Sequence, residues 1–294
     1  MFDACVIGHV VRDLNVIAGD ERPPSPGGAA YYSSMVYARL GLRTAVVTKV
    51  APADEDLLLS ELRDLRVEAF NLPTPRSTVF RNIHAPEQGN VRVQRVGDLA
   101  TPLEPSEIPA IRSRIWQLGP LTKRDFGPEM TARCLAAGGL VGMDVQGLIR
   151  AVADGEIHRT RPAGGTAYVE GLDALKADED EILIFTGEDR IPAAAGRVRR
   201  AGVREVLITK ADRGSTIFAE RGPVEIAAVP PRRDVDATGC GDTYLAAWLA
   251  RRIETSDLAE CGAFASAVAS IKIESFGAFE GSPDEIVARR KLLR

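Results

Sequence analysis

A chain of 294 residues with 45% hydrophobic and 27% charged side chains has the balance of an ordinary globular protein, long enough to bury one sizeable α/β core. Its formal charge of −4, from 37 basic and 41 acidic residues spread along the chain, leaves no footprint for nucleic acid. No run approaches the ~20 apolar residues that cross a bilayer, and the N-terminal MFDACVIGHVV lacks the basic head of a signal peptide.

The cysteines (Cys5, Cys134, Cys240, Cys261) form no Cys-x-x-Cys pair and read as reduced thiols in a cytoplasmic protein. The histidines (His9, His84, His158) lie too far apart in sequence to suggest a metal cluster.

In chain order, ACVIGHVV (4–11) predicts a first strand and DLNVIAG (13–19) an extended excursion. AAYYSSMVYARLG predicts a helix, TAVVTKV (44–50) a strand and DEDLLLSELRDLR a helix. Between Arg76 and Val96, the alternation in VRVQRV and the turn signal Gln88-Gly89-Asn90 predict a hairpin with one polar face. With DLNVIAG it makes a small β lid from about 12–24 and 74–100; the plainer alternative is a surface hairpin. RIWQLGP (114–120) and LVGMDVQ (140–146) are strands on either side of the helix PEMTARCLAAGG. The polar, glycine-rich 153–166 reads as a loop. EILIFTG (181–187) and REVLITK (204–210) read as strands around the helix PAAAGRVRRAG. TYLAAWLARRI, SDLAECGAFASAVASIKI and PDEIVARRKLL are the closing helices. Nearly continuous apolar strands alternating with helices predict a single three-layer α/β/α domain, residues 1–294, around a mostly parallel sheet.

The chemistry is carried by DATGCGD (236–242). Apolar residues at Leu245, Trp248 and Leu249 share a helix face, which places Gly239-Cys240-Gly241 at the N-terminus of that helix. There the first amides lack intrahelical partners, and glycines let an anion approach the backbone. Asp242 could simply complement the helix dipole. An acid beside an anion cradle would repel the anion, a conflict that disappears if Asp242 takes a proton from a hydroxyl attacking a phosphorus held there.

DATGCGD resembles the D-x-T-G-A-G-D signature of the ribokinase-like (PfkB) carbohydrate kinase family, with Cys240 in place of alanine. The resemblance extends over almost the whole chain. It implies transfer of the ATP γ-phosphoryl group to a hydroxyl of a sugar or polyol, with Mg2+ and with a monovalent cation left open. It further implies that Asp242 is the base and that the amides of Gly239, Cys240 and Gly241 hold the phosphoryl group. SPGGAAYYSSMVYARLG is similar to the family's N-terminal signature, so Gly27 and Gly28 would let backbone approach the substrate. Asp13 resembles the family's hydroxyl-gripping acid, and Tyr32 stands where an Asn is usual. GMDVQGLIR resembles a variant of inositol-type kinases, which makes Asp144 and Gln146 candidate acceptor contacts. ITKADRGS is similar to a nucleotide-contacting segment, giving Lys210 and Gly214; Thr238 is a further donor-site candidate. The N-x-x-E motif tied to magnesium is matched to TGED, which points to Glu188 and Asp189.

Two readings stay open beside a sugar or inositol-like acceptor. Tyr31, Tyr32 and Phe80 could stack on the base of a nucleoside, and the altered motifs could mark a non-catalytic ligand-binding protein on a kinase scaffold. A dinucleotide-dependent oxidoreductase is disfavoured, because GHVVRD supplies no G-x-G-x-x-G at a helix start, and a P-loop is likewise missing. The expected partner is a small molecule, not nucleic acid or membrane; a homodimer through the lid is left open by the family.

Overall fold

The computed structural model describes residues 1–85 and 91–293. The Gln88-Gly89-Asn90 turn therefore lies outside the described residues. The chain begins with β1 (Phe2–Ile7), β2 (Val11–Ile17), β3 (Asp20–Glu21), β4 (Ser25–Gly27), α1 (Ala29–Arg39), β5 (Thr44–Thr48), α2 (Glu55–Asp64) and β6 (Glu68–Asn71). It continues through β7 (Val79–Ala85), β8 (Val91–Val96), β9 (Ser113–Leu118), α3 (Pro128–Ala137), β10 (Leu140–Asp144), α4 (Gln146–Ile149), β11 (Arg150–Ala153) and β12 (Glu156–Arg159). Then follow β13 (Ala174–Asp178), α5 (Glu179–Thr186), α6 (Ile191–Arg200), β14 (Glu205–Thr209), β15 (Ser215–Ala219), β16 (Gly222–Ile226), α7 (Cys240–Arg252), α8 (Leu258–Lys272) and α9 (Pro283–Arg290).

Side chains of a strand alternate between faces, so a strand that is apolar throughout needs cover on both sides. β1 shows this directly. Ala4 and Val6 enter one core with residues of α1, α2, α7 and α8. Cys5 and Ile7 enter the other with residues of α3, α5 and α6. The sheet between these layers runs β16-β15-β14-β13-β10-β9-β1-β5-β6 among the described residues. It is parallel from β14 to β6, and β15 and β16 fold back antiparallel at one edge. This is the three-layer α/β architecture the apolar runs predict. No helix among the described residues is long and apolar enough to cross a membrane.

A second sheet has the order β11-β12-β8-β7-β2-β3, with β4 also on β2. β2 and β7 pair parallel, with Asp13 opposite Phe80, which joins the two excursions expected near 12–24 and 74–100. The sheet also takes in β11, and β12 within the 153–166 that the sequence reading has as a loop. The reason is the turn Asp154-Gly155, whose φ values of 51° and 74° are those of a tight hairpin turn.

A larger difference concerns residues 174–187. The strand is Ala174–Asp178, and the apolar EILIFTG belongs to helix α5. Its buried Glu181, Ile182, Phe185 and Thr186 follow helical spacing. A capping box starts it: Asp178 accepts from the Glu181 amide at 2.7 Å, and Glu181 accepts from the Asp178 amide at 2.8 Å.

Candidate active site

Open parallel sheets bind ligands beyond the carboxyl ends of their strands. A cavity of about 400 Å³ lies there. The second sheet contributes Asp13, Phe80 and Gln94 to its wall, and the start of α1 contributes Gly28 and Tyr32. The ends of β10 and β13 and the helices after them add Asp144, Gln146, Arg150, Lys176, Asp178 and Glu181. The segment 234–239, Gly241 and Asp242 complete the enclosure.

Gly239 caps α7 with φ 76°, a left-handed conformation that favours glycine. It has a second reason to be glycine: an added Cβ would come 2.5 Å from the Tyr32 ring. Gly241 faces the ammonium of Lys176, which would lie 2.6 Å from a Cβ at that position. Asp242 follows in the first turn, and the Ser33 hydroxyl donates to its carbonyl at 3.5 Å, tying α7 to α1. Burial, then the Asp144 carboxylate, push the Asp242 carboxyl up to about 7, against the pull of Lys176 and Arg150. A carboxyl poised near neutral pH is able to take up a proton there.

Lys176 is the counter-charge of this end of the cavity. Its Nζ lies 2.9 Å from Asp144 Oδ2 and 3.7 Å from Glu181 Oε2, with the lysine and both acids nearly excluded from solvent. Burial alone would lower its affinity for a proton, but Asp144 and Glu181 hold it well above the ordinary lysine value. Burial would likewise raise Glu181, yet Lys176, the Asp178 amide and Gln146 keep it below the usual range. Asp144 is pushed up, by burial first. The Gln146 side chain donates to Glu181 Oε1 at 3.0 Å, and its amide donates to Asp144 Oδ1 at 2.9 Å.

Of the residues singled out in the sequence, Asp13, Gly28, Tyr32, Asp144, Gln146, Thr238, Gly239, Gly241 and Asp242 line this one cavity. Gly27 does not line it but serves Asp13, whose Oδ2 would be 2.0 Å from a Cβ there. Cys240, Lys210, Gly214, Glu188 and Asp189 are not brought to the cavity. The Cys240 amide donates to the Ala237 carbonyl at 3.1 Å, and Cys240 is not part of the wall. Lys210 lies off the cavity, its Nζ 2.7 Å from Glu225 Oε2. Gly214 turns the chain at φ 82°, where a Cβ would come 2.0 Å from the Ile226 carbonyl. Glu188 and Asp189 also lie off it, because their segment follows α5 rather than a strand end. Glu188 pairs with Arg197 at 3.2 Å, and the Asp189 side chain is 93% exposed.

Arg150, Lys176, Asp178 and Glu181 were missed. For the two acids a signal was present: Asp178-x-x-Glu181 repeats the N-x-x-E spacing, with Asp178 closing a strand. Among the described residues no cluster of three or more His, Cys, Asp or Glu is arranged to hold a metal ion by itself.

A family model described as pfkB family carbohydrate kinase matches residues 160–285. The chain is 31% identical over 122 residues to a ribokinase of Arabidopsis thaliana, a stretch covering 40% of this chain and 32% of that protein. It is 28% identical over 301 residues to a nucleoside kinase of Methanothermobacter thermautotrophicus, covering 96% and 93% of the two chains. Among solved structures, a pyrophosphate-dependent kinase in the ribokinase family, complexed with a pyrophosphate analog and myo-inositol, superposes with a TM-score of 0.85. That pair is 25% identical and covers 97% of this chain and 99% of the other. Fold and relatives together define a phosphotransferase with a hydroxyl acceptor. The family model and these relatives make the chain similar to the ribokinase-like pfkB carbohydrate kinases.

Proposed function

We propose that this kinase transfers the γ-phosphoryl group of ATP to a hydroxyl of a sugar or polyol, an inositol-like ring above all. The observation that carries the reading is Asp242: a carboxyl lifted to about 7, in the first turn of α7, inside the cavity and beside Gly239 and Gly241. Asp242 takes the proton of the acceptor hydroxyl as that oxygen attacks the γ-phosphorus in line, and the bond to the ADP leaving oxygen breaks. The amide end of α7 at Gly239 and Gly241 receives the charge on the transferring group. Asp13 on one wall and Asp144 with Gln146 on the other grip acceptor hydroxyls, with Phe80 and Gln94 closing over them from the lid sheet. The buried Tyr32 phenol is held protonated, first by burial and then by Asp13 and Asp236, and so offers a neutral donor.

The donor set suits magnesium, which is usually held by one or two carboxylates together with substrate phosphates. Asp178 and Glu181 are the acids that would hold it, directly or through water, and the ion would supply neutralisation of the donor's phosphates.

A nucleoside acceptor is the second reading, favoured by Phe80 in the cavity wall and by the nucleoside kinase relative. Tyr31 speaks against it, since its hydroxyl is bonded to Glu61 at 2.5 Å. So does Tyr32, whose ring backs Gly239. Pyrophosphate is the alternative donor. Lys210 and Gly214 lie outside the cavity, and a structural relative uses pyrophosphate. A panel of sugars, inositols and nucleosides, assayed with either donor, decides both points. The expected result is turnover of a cyclic polyol or sugar with ATP. Turnover of nucleosides alone contradicts the acceptor, and turnover with pyrophosphate alone contradicts the donor.

Asp242→Asn tests the base. Turnover should fall at least about a hundredfold with donor affinity retained. The same variant should gain stability above neutral pH. The folded-state carboxyl binds its proton more tightly than an ordinary aspartate does, so the wild-type chain loses stability as pH climbs from the usual aspartate range to about 7. A variant with wild-type turnover contradicts the assignment.

A further inference from the structure

The last residue of α8, Lys272, is fully buried. An ammonium withdrawn from water is costly unless oxygens receive it. Here the oxygens come from the loop that enters the phosphate cradle: Nζ lies 2.7 Å from the Asp236 carbonyl and 3.4 Å from Asp236 Oδ2. The adjoining residue holds the same loop as well. The Ile273 carbonyl accepts the amides of Val235 and Asp236 at 3.0 and 3.1 Å. Asp236 Oδ1 in turn accepts the Thr238 amide at 2.9 Å, one residue before Gly239. The charge also lies 5.9 Å from the centre of the Tyr32 ring, the ring that packs against Gly239. Its field reaches the cradle: burial pushes the Cys240 thiol up to about 11, and Lys272 is the largest influence pulling the other way.

A peptide carbonyl and a carboxylate are hard oxygen donors, the kind that suit an alkali cation as well as an ammonium. Lys272 already occupies them. We propose that Lys272 is a tethered counter-cation of the cradle: it positions the 236–241 loop for the incoming phosphate and replaces a dissociable monovalent cation, so that phosphoryl transfer is independent of potassium-type ions. Lys272 is a positioning residue, acting through Asp236. The inference rests on the kinase reading of the same site.

The first arm uses the wild-type chain. Turnover and pyrophosphate binding are measured with choline chloride exchanged for potassium, sodium or ammonium chloride at constant ionic strength, which holds general screening fixed. Both should change less than about twofold across the salts, well short of a tenfold ~1.4 kcal/mol effect. A several-fold requirement for potassium or ammonium overturns the proposal. The second arm uses Lys272→Met, with Lys272→Gln as a second variant and thermal melting as the check on folding. In choline, the folded variant should lose at least about tenfold in turnover and in pyrophosphate binding. Potassium or ammonium should restore a good part of both, a rescue that a purely structural role would not show. A folded variant that is fully active in choline, or one that no cation restores, overturns the proposal. Calorimetric pyrophosphate binding is read without turnover, so failure of the kinase reading, in which no acceptor is phosphorylated, remains distinct from failure of this one.

Discussion

Two buried lysines stand near the start of α7, and their surroundings differ in kind. Lys176 faces the cavity and meets side-chain carboxylates, those of Asp144 and Glu181, with Asp242 also within its field. Lys272 does not line the cavity, and the shorter of its contacts with Asp236 is to a backbone carbonyl. On the proposed reading, Lys176 governs the charge of the acids that do chemistry, whereas Lys272 governs the shape of the loop that receives phosphate, so the two tasks are separate. Substituting one lysine should change proton chemistry, and substituting the other should change phosphate binding.

Lys176→Met should have the larger effect on stability. It leaves Asp144 and Glu181 buried without their cation, and removing one member of a buried pair costs about 3–5 kcal/mol. Chemical denaturation checks the loss. In whatever fraction folds, the Asp242 carboxyl should rise beyond its wild-type position, because a cation that lowers it has gone. The acid limb of the kcat/KM profile then moves to higher pH. Lys272→Met should leave that limb in place and weaken donor binding instead, and an equal shift in both variants would erase the distinction. Asp189→Asn should do least. With its side chain 93% exposed and off the cavity, turnover and stability should stay within about 0.5 kcal/mol of wild type. A large fall in magnesium-dependent turnover for that variant would return Asp189 to the site.

The main sheet was legible because strands such as β1 and β14 are buried on both faces and read as unbroken apolar runs. β13 was missed for the converse reason. Its ALKAD carries Lys176, a residue that serves the cavity, and the charge interrupts the run. The neighbouring ILIF then looked like the strand, although Asp178 and Glu181 already spelled a capping box before a helix. With the strand read there, the sequence reading matches the acid motif to Glu188 and Asp189 rather than to the cavity-lining Asp178 and Glu181. The DATGCGD segment was legible for a local reason: glycines bracketing a helix start have few physical purposes. The role of Arg150 was not readable, because its place in the cavity depends on β11 joining the second sheet. The Asp154-Gly155 turn that makes this hairpin was in the sequence, but nothing local said which sheet it would join.

The central claim, that the Asp242 carboxyl removes the proton from the acceptor hydroxyl, is tested most directly by kcat/KM of the wild-type kinase from about pH 5 to about pH 9. The account predicts an acid limb in which kcat/KM rises with pH and levels off above a midpoint near the about 7 of Asp242, because only the ionised carboxylate accepts the proton. A flat profile through that range, with chemistry rate-limiting, would contradict it.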